Sequence, residues 1–346
     1  MSILVTGGAG YIGSHTAVAL IESGHDVVVI DNYSNSSPDV IARVEALTGA
    51  TIPAYTADIA DRQTVTRILK DHDCDTVMHF AGLKAVGNSV AQPLDYYREN
   101  VAGALSLFEA MQAAQVRRCV FSSSATVYGA PQFLPFTEDH PLAPASPYGW
   151  SKLMIEQILR DLAISDPDWR IAVLRYFNPC GAHPSGQIGE NPIGRPNNLM
   201  PFIAQVAVGR RPHLDVMGDD YDTSDGTGVR DYIHVVDLAR GHVAALDLIE
   251  RETGWNAVNL GTGAGYSVMD MLRAFEKAVG HPIAHKIGPR RPGDVAAYWA
   301  DTQTAEARLG WRAELGVERM CEDHWRWQQS LIASQAEPSH PVGGGL

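Results

Sequence analysis

No stretch of this sequence is long and apolar enough to cross a bilayer, which takes about 20 consecutive apolar residues. Positive charge is in deficit. Lys and Arg number 27 against 40 Asp and Glu, and the net charge of −13 argues against nucleic acid and anionic membrane surfaces as partners. Small anionic ligands escape that argument, because local groups bind them. Cysteine is sparse: Cys74, Cys119, Cys180 and Cys321 are scattered without paired metal-ligand spacing, so no metal site is expected. Reduced thiols suit a cytoplasmic protein. The N-terminus lacks the charge pattern of an export signal, and Met1–Thr6 begins a strand directly. Internal repeats are lacking too. The one low-complexity stretch follows Gln335, where Pro338, Pro341 and Gly343–Gly345 predict a disordered tail over 336–346.

What remains is an ordinary globular composition, 45% hydrophobic and 19% charged over 346 residues, long enough for two domains. Ile3–Thr6 reads as a short buried strand. Gly7-Gly8-Ala9-Gly10-Tyr11-Ile12-Gly13 follows, then a helical pattern to Ser23, a stop at Gly24, and a second strand ending in Asp31. Glycines alone make ordinary turns. Between strand and helix they let a pyrophosphate approach the backbone at the helix N-terminus, so this is a dinucleotide fingerprint. Asp31 suits the adenosine ribose hydroxyls and would repel a 2′-phosphate, which favours NAD over NADP.

Strand and helix continue to alternate. Helical patterns cover 38–47 and 62–72, the latter capped by Asp61, with extended stretches at 51–56 and 76–80. Asp58 and Ile59 follow the third strand, where they would flank an adenine; Phe80, Ala81, Gly82 and Lys84 follow the fourth. His79, inside an apolar strand, reads as a core histidine. A long helix is expected over 93–115, and then a strand, 118–122, running into Ser122-Ser123-Ser124-Ala125-Thr126. In Ser146-Pro147-Tyr148-Gly149-Trp150-Ser151-Lys152, Ser146 caps a helix, Pro147 takes its first position, and Tyr148 and Lys152 share a face. A tyrosine beside an ammonium is a candidate proton-transfer group. Bringing its pKa from ~10 to neutrality takes roughly 4 kcal/mol of differential stabilisation. Alone, the spacing describes any helix start. Beside a dinucleotide loop and a run of serines it makes a serine–tyrosine–lysine set.

At this point the chain resembles the extended short-chain dehydrogenase/reductase family. Longer motifs narrow the resemblance to its nucleotide-sugar 4-epimerases: Phe80–Gly87, Leu174–Pro179, Asn197–Pro201, Gly226–Val235, Pro289–Asp294 and Ala297–Asp301. The resemblance runs to about Gln328. It implies a Rossmann-type doubly wound parallel α/β sheet over 1–177, with 229–248 returning to it, and a smaller C-terminal α/β nucleotide-sugar domain over 178–335. It implies reversible, NAD-dependent epimerisation at C4 of UDP-glucose and UDP-galactose through a 4-keto sugar, in galactose metabolism, by a cytoplasmic homodimer that retains its NAD. Tyr148 would take the proton of the 4-hydroxyl, Ser124 would position that hydroxyl, and Lys152 would hold the nicotinamide ribose and lower the pKa of Tyr148. Gly7, Gly10, Tyr11, Ile12, Gly13, Asp31, Asn32, Asn35, Ser36, Asp58 and Ile59 would face NAD. So would Phe80, Ala81, Gly82, Lys84, Asn100, Ser122, Tyr176 and Phe177, together with Tyr148 and Lys152. The nucleotide sugar would meet Ser124, Ala125, Thr126, Tyr148, Phe177, Asn178, Asn198, Leu199, Val216, Met217, Arg230, Arg291, Asp294 and Tyr298. The two arginines would hold the diphosphate and Asp294 the uridine ribose.

Three positions depart from the family pattern: Glu99 precedes Asn100 where two asparagines are usual, Trp150 replaces a smaller or polar residue, and Met217 replaces a phenylalanine beside the uracil. Tyr298 is bulky, which in the family goes with non-acetylated sugars. Epimerisation of a UDP-N-acetylhexosamine or a UDP-pentose is the nearest alternative. Dehydration is less favoured, because Ser124-Ala125-Thr126 lacks the carboxylates that it needs near C6. A non-catalytic NAD-binding regulator would be expected to have lost part of the serine–tyrosine–lysine set.

Overall fold

The computed structural model describes residues 1–194, 196–291 and 293–336. Its centre is a seven-stranded, wholly parallel sheet. Six strands come from the first half of the chain: β1 (Ser2–Thr6), β2 (Asp26–Asp31), β3 (Ala54–Thr56), β4 (Thr76–His79), β5 (Arg118–Ser124) and β6 (Arg170–Tyr176). The seventh, Gly254–Leu260, pairs with β6 along its whole length. The spatial order is β3-β2-β1-β4-β5-β6 and then Gly254–Leu260, so the chain reverses direction across the sheet between β1 and β4. A crevice opens there, at the carboxyl ends of the strands. This is the doubly wound architecture expected from the sequence.

Both faces of the sheet are covered, which is why the strands read as nearly continuous apolar runs. Alternation assigns Ile3, Val5, Val27 and Val29 to one core, under the helices Tyr11–Glu22, Asp39–Thr48 and Val235–Arg251. Leu4, Val28, Ile30 and Val77 enter the other, with Ile68, Phe108, Ile155 and Leu159 from the helices opposite. A third core lies outside the sheet, built around Met200, Ile203, Leu272, Phe275, Met320 and Cys321. Met320, Cys321, His324 and Trp327 form the buried face of the helix Val317–Ala336, as their spacing implies. The tail from 337 onward lies outside the described residues.

Two sequence expectations need correcting. The single helix expected over 93–115 is instead Pro93–Tyr96, a π-helical segment Tyr97–Ala102, and Gly103–Ala113. The π turn carries Asn100 inward, where its amide bonds the Leu83 backbone on both sides (2.7 and 3.0 Å) and Ser151 Oγ (3.0 Å). A wide turn at a site with a job is a recurrent use of this geometry. Of the segment 229–248, only the helix Val235–Arg251 lies on the large sheet. Val229–Arg230 belongs to a separate three-stranded sheet with Tyr266–Ser267 and Ala297–Tyr298.

Candidate active site

The cradle at the end of β1 is set by close approach. Gly7 has φ +70°, and a Cβ there would lie 2.8 Å from the Ala81 nitrogen. A Cβ on Gly13 would lie 2.3 Å from the Gly7 carbonyl oxygen, and one on Gly10 3.1 Å from it. The loop therefore has no space for side chains, and its backbone opens onto the N-terminus of the helix Tyr11–Glu22. That terminus has no side-chain cap. Asp31 closes the far end of β2. Its Oδ2 accepts from Ala9 N at 3.0 Å, and its Oδ1 from Tyr33 N and Ser36 Oγ at 2.9 Å each. Each oxygen keeps acceptor capacity for a ribose diol. Asn32 bonds Asp58 (2.8 Å), with Ile59 buried beside it, while Asn35 is exposed. These features fit a dinucleotide: a backbone cradle for a diphosphate and, one strand away, a fixed carboxylate.

The proton-transfer set gathers where β5 and β6 end. Ser146 caps the helix Pro147–Ser165, accepting from Gly149 N at 3.2 Å. Tyr148, Lys152 and Glu156 fall on its buried face. Lys152 Nζ donates to the Ser122 carbonyl at 2.8 Å and lies 5.9 Å from the centre of the Tyr148 ring. Ser122 Oγ shares a short hydrogen bond with the Tyr176 hydroxyl. Ser124 accepts from Thr126 N and Oγ1 at 3.2 and 3.1 Å and lies beside Tyr148. Burial holds the Lys152 ammonium down at about 8, against the opposing pull of Glu156. Burial, with Tyr176 and Tyr96 nearby, pushes the Tyr148 phenol well up, and Ser124 offsets part of that. His79 is a core residue as expected: it is 1% exposed, bonded to Thr6 Oγ1 at 2.8 Å and held by burial at about 3.

The opposite wall is made of side chains that hold one another. Tyr298 donates to Asn178 Oδ1 (3.1 Å), and the Arg230 guanidinium lies 4.6 Å over its ring. Arg230 also pairs with Asp294 (3.2 Å) and donates to the Val229 carbonyl (2.8 Å). Phe177, Ala125 and Tyr298 pack in one apolar cluster. Val216 is buried and Met217 half-buried at the end of Leu214–Met217, while Leu199 opens the helix that follows Asn198. Arg291 is exposed.

Lys84 and Asn198, expected on cofactor and substrate respectively, meet on one carboxylate. Glu190 Oε1 accepts from Lys84 Nζ at 2.9 Å and from Asn198 Nδ2 at 2.8 Å. Nothing in the local sequence marks Glu190, whose partners are 106 and 8 residues away. Tyr11 donates to the Gly181 carbonyl at 2.8 Å and so ties the first helix to the same wall. A second unforeseen pair, Glu156 with Arg175, is buried beneath the catalytic helix at 2.7 Å. An arginine inside an otherwise apolar strand was its available signal, because a buried guanidinium requires a carboxylate.

Comparison with known proteins agrees with this geometry. The sequence profile of the GDP-mannose 4,6 dehydratase family matches residues 4–324. The UDP-glucose 4-epimerase of Bacillus subtilis (strain 168) is 58% identical over 332 residues, covering 96% of this chain and 98% of that one. The crystal structure of the UDP-glucose 4-epimerase from Bifidobacterium longum, in complex with NAD+ and UDP, superposes with a TM-score of 0.92 at 53% identity, over 95% of this chain and 98% of that one. That from Stenotrophomonas maltophila, with bound NAD and formylated UDP-arabinopyranose, gives 0.95 at 48% identity, over 96% and 99%. With a site of this construction and identity of this extent, the chain belongs to the UDP-glucose 4-epimerase family.

Proposed function

We propose that this protein interconverts UDP-glucose and UDP-galactose by inverting C4 of the hexose, with NAD held throughout the cycle. The observation that carries this reading is the junction of two assemblies: a close-packed backbone cradle at Gly7, Gly10 and Gly13 and a buried Ser124–Tyr148–Lys152 set at the neighbouring strand ends. NAD would lie along Gly7, Gly10, Tyr11, Ile12 and Gly13, with Asp31, Asn32, Asn35, Ser36, Asp58 and Ile59 around the adenosine. Phe80, Ala81, Gly82, Lys84, Asn100, Ser122, Tyr176 and Phe177 would border the rest. Bound there, NAD supplies a hydride acceptor for the sugar C4 and a positive charge beside Tyr148.

Tyr148 takes the proton of the 4-hydroxyl as C4 is oxidised, and returns it when C4 is reduced. Ser124 holds that hydroxyl against the tyrosine. Lys152 keeps positive charge near the phenolate. One tyrosine must serve both faces of the sugar, so the sugar has to turn between the two half-reactions while the nucleotide stays fixed. Arg230 and Arg291 suit the diphosphate, because a guanidinium fork matches its oxygens. Asn178 and Asn198 offer amides to hydroxyls or phosphate oxygens, Asp294 faces the uridine ribose, and Leu199, Val216 and Met217 face the base. Ala125, Thr126, Phe177 and Tyr298 bound the sugar. The Tyr298 ring occupies the space that an acetamido group needs, which favours non-acetylated hexoses.

We assign residues 1–177 to the cofactor domain, with the helix Val235–Arg251 and the strand Gly254–Leu260 returning to it, and the rest of 178–335 to the nucleotide-sugar domain. Val86, Val90, Leu94, Leu105, Trp150 and Met154 are exposed on neighbouring helices of the first. A second copy of the chain covering them would give a homodimer, the state in which the enzyme would serve galactose metabolism in the cytoplasm.

The test is to incubate the purified protein with UDP-galactose, without added NAD, and to separate the product sugars. UDP-glucose is expected at equilibrium proportion. No product, even after NAD is added, would overturn the assignment and direct the search to UDP-pentoses and N-acetylated sugars.

A further inference from the structure

The catalytic helix carries a carboxylate that the mechanism does not use. Glu156 follows Lys152 by one turn and Tyr148 by two, and is 2% exposed. Its Oε1 accepts from Ser123 Oγ at 2.5 Å and from Arg175 Nε at 3.1 Å, and its Oε2 from Arg175 Nη2 at 2.7 Å. Ser123 sits between the two functional serines. On one side is Ser122, whose carbonyl holds the Lys152 ammonium, and on the other Ser124, the partner of Tyr148. Arg175 precedes Tyr176, which bonds Ser122, and its Nη1 donates to Tyr128 Oη and the Glu138 carbonyl at 3.2 Å each. Tyr128 in turn donates to Asn259 (2.6 Å) on the strand beyond β6. One carboxylate thus fastens the helix with Tyr148 and Lys152 to the two strands carrying their partners.

We infer that Glu156 is a positioning residue for the epimerisation proposed above: it holds the catalytic helix in register with β5 and β6 and keeps Lys152 an ammonium inside a buried site. An ordinary structural pair would need no contact with the serine run and no place one turn from the lysine. The groups facing Lys152 are few. Tyr148 and Glu156 lie on its own helix, His79 on β4, the Phe121 ring and the Ser122 carbonyl on β5, and Tyr176 on β6. Asn100 and Tyr96 approach from the helices opposite and carry no charge. Of these groups only Glu156 is an acidic side chain in an ion pair.

Two variants test this. Glu156→Gln removes the charge but leaves Arg175 buried without its carboxylate. Glu156→Gln/Arg175→Met removes both charges and keeps the volume filled, which buried pairs commonly tolerate. Holoenzyme labelled with 13C at lysine Cε would be titrated by NMR, with Lys152 assigned by its absence from Lys152→Arg. In both variants the Lys152 titration is expected to move down by about one unit, a tenfold loss of ammonium at alkaline pH. The alkaline limb of the rate is expected to move with it, while the double variant recovers the wild-type melting temperature. A Lys152 titration unchanged in the double variant would overturn the inference and leave the pair a structural one. The NMR readout does not depend on the reaction. Absence of UDP-galactose conversion by the wild type would strike the proposed function instead.

Discussion

The two walls of the cleft are built in opposite ways. The cofactor wall is backbone: Gly7, Gly10 and Gly13 approach Ala81 and one another so closely that no side chain fits, and Asp31 is pinned by three donors from its own βαβ unit. The nucleotide-sugar wall is side chain. Asn178, Arg230, Asp294 and Tyr298 come from three separate segments, and they hold one another through contacts of 3.1 to 4.6 Å. A backbone cradle is ready-made and costs little to reorganise, which suits a group that stays bound. Side chains paired with each other can exchange those partners for a diphosphate and take them back, which suits a group that must leave. The difference between retained cofactor and exchanged substrate is therefore already present in what each wall is made of.

The largest effect should come from filling the cradle. Gly13→Ala places a methyl group 2.3 Å from the Gly7 carbonyl oxygen, a backbone atom that cannot turn aside. The purified variant is expected to carry no NAD and to lose activity by more than about 100-fold, equivalent to ~2.7 kcal/mol or more. Gly24→Ala is the control. Gly24 has φ +82° but open space around its Cβ position, so it should cost about 1 kcal/mol of stability and no NAD. Dinucleotide released by denaturation and counted by chromatography decides both. A Gly13→Ala protein that kept its NAD would mean the first wall is less rigid than its spacing implies.

Acid comes next, and should weaken both walls, the cofactor wall more, since the other side also has a buried histidine, His324, held at about 4 by burial. Burial holds His15 and His79 at about 3 and His242 at about 4, each packed on or in the large sheet. Their folded pKa values lie below the unfolded ~6.5. The neutral imidazoles therefore contribute stability that is complete above about pH 6.5 and is lost as pH falls toward 3. At pH 5 the loss is roughly 2 kcal/mol for each of them. On the other side, Asp323 is held at about 2 by its hydrogen bonds from His234, Arg319 and Arg326, which outweigh burial. Its contribution is present above the ordinary carboxylate pKa of ~3.9 and is lost only as pH falls from there through about 2. The melting temperature should drop between pH 6.5 and 4.5, with NAD released over the same interval. A melting temperature flat to pH 4, followed by a single collapse, would put the carboxylates in control instead.

The same contrast explains what was legible in the sequence. The backbone wall is contiguous: strand, glycine loop, helix and Asp31 lie within 31 residues, and Ser146 to Lys152 announce their helix by cap, proline and spacing. The strands of the first half of the chain followed from alternation and apolar runs, whereas Gly254–Leu260 was not foreseen. Contacts between segments distant in sequence have no local signature. Glu190 meets Lys84 across 106 residues, and Glu156 meets Arg175 across 19. The π-helical turn at Tyr97–Ala102 was hidden for a related reason. It is set by where the Asn100 amide finds partners on Leu83 and Ser151, and helical periodicity cannot show that.

On the side-chain wall, single substitutions should act on substrate alone. Arg230→Met removes the guanidinium from Asp294 and from the proposed diphosphate site. Charge-assisted hydrogen bonds contribute about 1.5–3 kcal/mol, so KM for UDP-galactose should rise roughly 10- to 100-fold. The NAD content should stay at the wild-type value. Asp294 is left part-exposed, with a side-chain exposure of 31%, so its own penalty is small. If NAD were lost with the arginine, the two walls would be one unit and the comparison would fail.

The smallest effect, and the sharpest test of how adjustable the second wall is, lies at Met217. It ends the strand Leu214–Met217 and is followed by Gly218 at φ +89°, so the chain turns away just after it. Its register partner on the neighbouring strand is Gly288. A Cβ at Gly288 would meet nothing nearer than the Val216 carbonyl oxygen at 3.8 Å, so the strand pair has room beside Met217. A phenylalanine there can lie flat where the thioether packs, and an aromatic pair adds about 0.5–1.5 kcal/mol beyond the area it buries. Met217→Phe should therefore tighten UDP binding by roughly 2- to 10-fold in calorimetry, leaving the melting temperature and NAD content unchanged. The wall would have accepted a larger ring by using open space. An unchanged dissociation constant would place the base away from this strand end, and the affinity would then rest on the arginines alone.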